Sequence, residues 1–472
     1  MEIKGQHAIL DAWLGEWPGD DAILAACERA IDASGMHVEC STVKRFAPSG
    51  VTAVWILSES HFTVHTYPEH AYLSVDCYTC GTEGDTRPLA ALGHALMQAG
   101  HDVHLLADAA TLGIARTLGL PSTALAGDIR ATIAADGAMR RITTNLARLT
   151  IQHTDAWLQQ AIALGRGCDA VIVSGLTVFV GQAAADVLRV PAIGAMLIPL
   201  SPTGEFASPF LPLPVPRALN RASHWLFGHA SWRLFRPATN RARRRAGLPP
   251  RRGLHTAYPM LYGISPALLP PPADWPLDTH VCGQWVPPVP GWVPPPGLVE
   301  YLDAGEPPVY VGFGSMGGFD NARLLRAVVG AVGSRRALFS AGWSGIDASA
   351  LPANFHPVGH VPHDWLLPRC ALAIHHGGSG TTHSATRAGI PSVIVPFAGD
   401  QFFWNQRLCA LGVMRHTLRG RTITAARLAA ALEHAESTDA RQRATALGTR
   451  MRGEDGTAAA VKLMERYTIT PA

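Results

Sequence analysis

The segment His375–Asn405, HHGGSGTTHSATRAGIPSVIVPFAGDQFFWN, gathers residues that can handle a sugar nucleotide. Its glycines let the backbone approach a phosphate, and free N–H groups at a following helix start would point at that phosphate. His376 can donate a hydrogen bond to a diphosphate oxygen. Asp400 and Gln401 offer the acceptors and donors that sugar hydroxyls require. The plainer readings are a capping or packed histidine and a surface helix start. A second candidate lies in Gly81-Thr-Glu-Gly-Asp85, after a predicted strand and before a predicted helix at Pro88. At the carboxyl edge of a doubly wound sheet, a carboxylate could take the proton of an attacking hydroxyl. Asp85 could instead simply cap that helix, and Glu83 is a competing carboxylate.

Elements of the right kind surround both candidates. Val309–Phe313, Ala371–His375 and Ser392–Pro396 are short apolar runs beside Gly, Ser or Pro, as buried parallel strands are. Tyr72–Thr79, Val103–Ala107, Ala170–Ser174 and Ile193–Ile198 repeat the rhythm earlier, alternating with helical stretches such as Pro88–Ala99. The proline run Trp285–Pro296 reads as a stiff connector. Two doubly wound domains facing a cleft are expected. Before them, Asp20–Ser34 has helical spacing, and Val51–Leu57 and Thr63–His65 read as strands of a small α+β unit.

The 472 residues correspond to about three lengths of roughly 150 residues. A formal charge of +3 gives no reason to expect nucleic acid. The opening MEIKGQHAIL lacks a basic-then-apolar pattern, and no stretch reads as a bilayer span, so a cytoplasmic location is expected. The eight cysteines then read as thiols, and Cys77-x-x-Cys80 has no second ligand pair for zinc. Residues 199–252 mix Phe206, Phe210, Trp225, Phe227, Trp232 and Phe235 with many arginines. That mixture suits an acceptor-shaping region with peripheral membrane contact through 217–245, or else a solvated basic helix with an ordinary core face.

From about Asp76 onward the chain resembles the GT-B glycosyltransferases, closest to the sterol glucosyltransferase-like branch and similar to the glucosyltransferases of glycopeptide assembly. The resemblance is carried by TCGTEGDTRPLAALGHAL (79–96), LYGISPALLPPPADWP (261–276), PPVYVGFGSM (307–316), GHVPHDWLLPRCALAIHHGGSGTT (359–382) and AGIPSVIVPFAGDQFFW (388–404). It implies that His376, Gly378, Gly380 and Thr381 bind the diphosphate, with Ser315 close by. It also implies that the backbone at Val361 reads uracil, that Asp400 and Gln401 bind the sugar, and that Asp85 is the general base. The implied reaction is inverting transfer of a hexose, glucose first, from a UDP-sugar to a lipophilic acceptor such as a sterol or terpenoid. dTDP-sugars stand as the other donor class. No DxD motif is evident and no metal is expected.

Residues 1–81 resemble the bacterial S-adenosylmethionine decarboxylase proenzyme, through GQHAILDAW (5–13) and KRFAPSGVTAVWILSESHFTVHTYPEHAYLSVDCYTCG (44–81). That resemblance implies self-cleavage at Glu59–Ser60, Ser60 becoming a pyruvoyl group, with His65 and Thr52 assisting and Cys80 as proton donor. Tyr67 departs from a more usual Trp. Tyr72–Thr79 is thus claimed by both units, and burial in the larger transferase favours its claim.

The expected order is a decarboxylase-like unit (1–71, with strand 72–80 disputed), an acceptor domain (72–284) and a linker (285–306). A nucleotide-sugar domain (307–450) and a C-terminal helix (451–472) packing back on the acceptor domain follow. Three alternatives stay open for the first unit: a second, decarboxylating activity, a non-catalytic dimerisation or regulatory module, or a fusion joined at TCG.

Overall fold

The computed structural model describes residues 7–13, 20–33, 38–45, 51–57, 60–67, 72–78, 83–127, 139–211, 215–313, 321–340, 351–359, 361–415 and 417–469. In the first 85 residues, side chains are described only for 21–28 and 43.

The first unit is an antiparallel sheet. Its strands are β1 (His7–Trp13), β2 (Val38–Arg45), β3 (Val51–Leu57), β4 (Ser60–Tyr67) and β5 (Tyr72–Tyr78), in the order β1-β5-β4-β3-β2. The helix Asp20–Ala33 buries Ile23, Leu24 and Cys27, which share one side of a 3.6-residue turn. β5 pairs along both edges, His61↔Tyr78 on β4 and His7↔Tyr78 on β1. This corrects the argument that burial would draw Tyr72–Thr79 into the transferase sheet. A short connection to β4 costs little closure entropy, whereas joining a parallel sheet needs a long crossover.

The first α/β domain, the expected acceptor domain, therefore opens on a helix. Glu83–Gln98 begins ahead of Pro88, where the sequence placed its start, so Asp85 stands in a helical turn rather than a loop. Ala91, Leu92 and Leu96 of this helix pack with Ile193, Ala195 and Leu261 of the neighbouring sheet. β6 (Leu105–Ala107) and β7 (Ser122–Ala124) form a parallel pair. β8 (Val171–Val173), β9 (Ala192–Met196), β10 (Met260–Tyr262) and β11 (Thr279–Val281) form a parallel sheet in the order β11-β10-β9-β8.

The second α/β domain, the expected donor domain, is built on a five-stranded parallel sheet. β12 (Val309–Gly312), β13 (Ala337–Ser340), β14 (Phe355–Val358), β15 (Leu372–His375) and β16 (Ser392–Ile394) run in the order β14-β13-β12-β15-β16. β12, β15 and β16 are buried throughout, which explains their unbroken apolar runs. Strand order reverses between β12 and β15, so a crevice opens at their carboxyl ends, where Gly312 faces His375.

The connector is more than a spacer. Trp285 is buried and donates through Nε1 to the Gly456 carbonyl at 3.1 Å. A Cβ on Gly263 would come within 2.7 Å of the Trp285 ring, so that contact requires glycine. The proline run ends in the helix Pro296–Asp303, with proline in its first turn, the helical position where a missing N–H costs nothing. The helix Gly456–Ile469 then returns to the acceptor domain, placing Ala460, Val461 and Met464 against Leu92 and Leu96.

Candidate functional site

The crevice at Gly312 and His375 holds the turn that the sequence singled out. Gly377 has φ +92°, and a Cβ there would lie 2.5 Å from Ile394 Cγ2, so backbone and packing both demand glycine. That same Cβ position is 3.3 Å from the Gln401 carbonyl oxygen, which brings the two halves of the motif together. A Cβ on Gly378 would meet His376 Nε2 at 2.6 Å, so the glycine makes room for the His376 ring. Around Gly380 the space is open to 4 Å.

The helix Ser379–Ala388 starts at this turn, and no side chain caps it. Its first N–H groups concentrate the positive end of the helix dipole where an anion can sit. Burial pushes the His376 imidazole down to about 4, opposed by a hydrogen bond to the Gly312 carbonyl. At neutral pH the ring is therefore uncharged and carries a single N–H. Its Nδ1 is shielded from solvent and has no partner among the described residues.

His375, which sequence reasoning passed over, is fully buried, and burial holds it well below the usual histidine range. Its Nδ1 accepts from the Gly377 N–H at 3.2 Å, so the neutral ring carries its proton on Nε2. That Nε2 is buried without a partner among the described residues. The doubled histidine in HHGG was the available signal.

Asp400 precedes the helix Gln401–Ala410, and its Oδ2 accepts from Trp404 Nε1 at 2.9 Å. Gln401 turns its Oε1 toward its own loop and accepts from the Phe397 and Ala398 N–H groups at 2.8 and 3.1 Å. Trp404 is fully buried and meets the His383 ring edge-on at 4.9 Å. His383, also missed from the sequence, bonds through Nδ1 to the Ser379 carbonyl at 2.7 Å and accepts at Nε2 from the Ser265 N–H at 3.3 Å. Burial pushes it, too, down to about 4. Ser379 Oγ donates to the Leu197 carbonyl at 3.0 Å. His383 thus ties the Gly377 turn and Trp404, which supports Asp400, to the preceding α/β domain. Its position four residues after Ser379 on one helix face was the only sequence sign.

On the acceptor side, Thr86 is buried and donates to Thr111 Oγ1 at 2.9 Å, and Thr111 bonds to the Asp108 carbonyl. This fixes the start of the Asp85 helix beside the carboxyl end of β6. Phe206 touches Phe403 of the donor domain at 5.1 Å and also packs on His224 and Trp275. Arg407 adds a bond to the Leu268 carbonyl at 2.8 Å. Val361 is buried among Leu298, Tyr310 and Leu366 beyond β14, and Thr381 is half-buried in the first helical turn. Ser315, Glu59 and Cys80 lie outside the described residues, as do the side chains of Asp85, Ser60, His65, Thr52 and Tyr67.

Two α/β domains packed together, one with its strand order reversed beside an uncapped helix, make an arrangement that known proteins share. Residues 339–460 match the family model for the erythromycin biosynthesis protein CIII-like C-terminal domain. Residues 16–104 match the family model for S-adenosylmethionine decarboxylase. The O-mycaminosyltylonolide 6-deoxyallosyltransferase of Streptomyces fradiae is 33% identical over 416 residues, covering 83% of this chain and 97% of that protein. The sterol 3-beta-glucosyltransferase of Candida albicans (strain SC5314) is 31% identical over 410 residues, 79% of this chain and 27% of that longer protein. The solved structure of the glycosyltransferase VinC in complex with dTDP superposes with a TM-score of 0.57 at 19% identity, covering 81% of this chain and 96% of that one. The chain belongs to the GT-B glycosyltransferases with an erythromycin-CIII-like C-terminal domain.

Proposed function

We propose that this glycosyltransferase moves a hexose, glucose first, from a UDP-sugar to a hydroxyl of a lipophilic natural product or sterol, with inversion. The reading rests on one observation. An uncapped helix start, two neutral histidines whose ring nitrogens lack a partner among the described residues, and the Asp400–Gln401 loop converge at the carboxyl ends of β12 and β15. In this reading His376 and the first N–H groups of the helix hold the diphosphate, with Ser315, Gly378, Gly380 and Thr381 around it. Val361 offers backbone to the base, and Asp400 and Gln401 orient the sugar.

The acceptor oxygen attacks the anomeric carbon while its proton passes to the Asp85 carboxylate. The bond from that carbon to the phosphate oxygen breaks, and UDP leaves with the electron pair. Phe206, Phe403 and Trp275 supply the apolar wall a lipophilic acceptor needs. Membrane contact through 217–245 would deliver it. The test is an acceptor screen with labelled UDP-glucose and dTDP-glucose, read as nucleotide release with and without chelator and as product anomer. Release of UDP with an inverted product, unaffected by chelator, is expected. Wild-type turnover in His376→Ala or Asp85→Asn would sink the assignment.

A second reading has its own support. β5 completes the antiparallel sheet, so the decarboxylase-like unit keeps its late strand. Leu57 pairs with Ser60, the first residue of β4, so cleavage of the chain just before Ser60 would leave the pairing of β4 intact. A pyruvoyl group at Ser60 would supply an electron sink for decarboxylating S-adenosylmethionine. Intact-mass spectrometry decides: masses of residues 1–59 and a shortened remainder support it, and one uncleaved chain in fresh and aged samples rules it out.

A further inference from the structure

We propose that the outer face of the helix Asn220–Arg245 docks the protein on an anionic lipid bilayer, its first half inserted and its second half over the headgroups. The proposal rests on the lipophilic-acceptor reading and adds a surface, an orientation and a lipid charge to it.

The helix has 26 residues, hence a length of about 39 Å, and contains no acidic residue. One face is core: Trp232, Phe235 and Ala242 are buried, and Arg243 is spent on Asp186 and the Pro249 carbonyl. The opposite face divides along its length. At its start, Leu219, Trp225 and Leu226 are 53%, 42% and 67% exposed, and Leu234, just past the middle, is 50% exposed. From its middle to its end, Arg233, Arg236, Arg241 and Arg244 are exposed and have no acidic partner among the described residues. Arg221 and Arg245, by contrast, already pair with Asp274 and Asp155.

An apolar patch containing tryptophan, continued on the same side by arginines with no acidic partner among the described residues, matches the layering of a bilayer surface. Leucine and the indole suit the acyl boundary, and guanidinium groups suit anionic headgroups within a Debye length. Charge selects this occupant. A second copy of the chain facing this surface would bring unpaired arginines near arginines. The inner side of the same helix meets the cleft: Phe227 stacks on Phe210 at 4.9 Å, and His224 meets Phe206, which touches Phe403. An acceptor leaving the bilayer beside Trp225 would therefore find aromatic surface leading to the donor domain.

The test is sedimentation of the full chain with phosphatidylcholine vesicles, with or without about one-third phosphatidylglycerol, at roughly 0.1 and 0.5 M salt. Binding to the anionic vesicles at low salt should exceed binding to neutral ones by about tenfold or more, and fall at high salt. Trp225→Ser with Leu226→Glu should reduce it about tenfold. Arg233→Gln with Arg236→Gln, Arg241→Gln and Arg244→Gln should abolish the salt dependence. Both sets should keep the wild-type turnover of a water-soluble acceptor. Equal binding to both vesicle types, or unchanged binding in both variant sets, overturns the proposal. So does light scattering that shows a lipid-free dimer dissolved by the Trp225/Leu226 change, because that face then belongs to a second copy. Vesicle binding needs no donor, so failure of the transferase reading would appear separately, as missing turnover with binding intact.

Discussion

In the donor domain, Gly312, His375, Gly377 and Gln401 meet within one parallel sheet and the turns at its carboxyl edge. On the acceptor side, Asp85 follows a strand that belongs to a different sheet, and its helix is fixed instead by Thr86 on Thr111. The donor side is assembled by local chain geometry, a βα turn and the next strand. The acceptor side is assembled by packing between segments distant in sequence. The two sides should therefore fail differently when perturbed.

The largest effects test that contrast directly. Asp85→Asn should lower turnover by about 10²–10⁴-fold while leaving UDP affinity near wild type. His376→Ala should lower turnover by about 10²–10³-fold and weaken UDP as well, seen by calorimetry beside kinetics. Equal UDP affinity in both variants would remove the division of labour. Next, Gly377→Ala forces a Cβ against Ile394 at a left-handed φ and should cost about 1–3 kcal/mol in denaturant unfolding. Gly380→Ala, with open space around it, should cost far less stability and act mainly on nucleotide binding.

A smaller effect separates the sugar from the nucleotide. Trp404→Phe removes the indole donor to Asp400 and should raise the KM for the sugar nucleotide several-fold, leaving UDP alone bound as before. His383→Gln should reach the same Asp400 support through the domain joint and also loosen the acceptor KM. A change confined to thermal stability would make His383 merely structural.

The smallest is a pH effect with opposite signs in two measurements. His376 and His383 titrate near 4 in the folded chain and near 6.5 when unfolded. Below 6.5 the unfolded chain binds more protons, so stability should be full above that pH and decline as pH falls toward 4. UDP placed beside His376 favours its charged form, so UDP affinity should rise as pH drops from 7 to 5. His376→Gln should flatten the affinity trend, and His383→Gln only the stability trend.

Legibility followed the same division. The strand runs Val309–Phe313, Ala371–His375 and Ser392–Pro396 were readable because both sheet faces are buried and the sequence has no reason to alternate. The glycines after His376 were readable as a turn that lets backbone come close to a ligand. The ownership of Tyr72–Tyr78 was not, since an apolar-rich strand satisfies a parallel or an antiparallel partner equally well in isolation. Nor was the helical start at Glu83, because Pro88 looked like its first residue. His383 was hidden for a different reason: its partner Ser265 lies in the other domain.

The sequence by itself determined the glycine turn after His376, since glycines, histidines and a helix start within one βα unit can be arranged in few ways. It also determined two α/β halves, from the rhythm of buried strands. Only the tertiary structure decided that β5 pairs with β1 and β4, and that the Asp85 helix begins a domain whose strand went elsewhere. It alone decided that the outer face of Asn220–Arg245 is apolar at one end and basic at the other. Pairing partners and exposed faces are set by what packs against each element, and that depends on segments far apart in the chain.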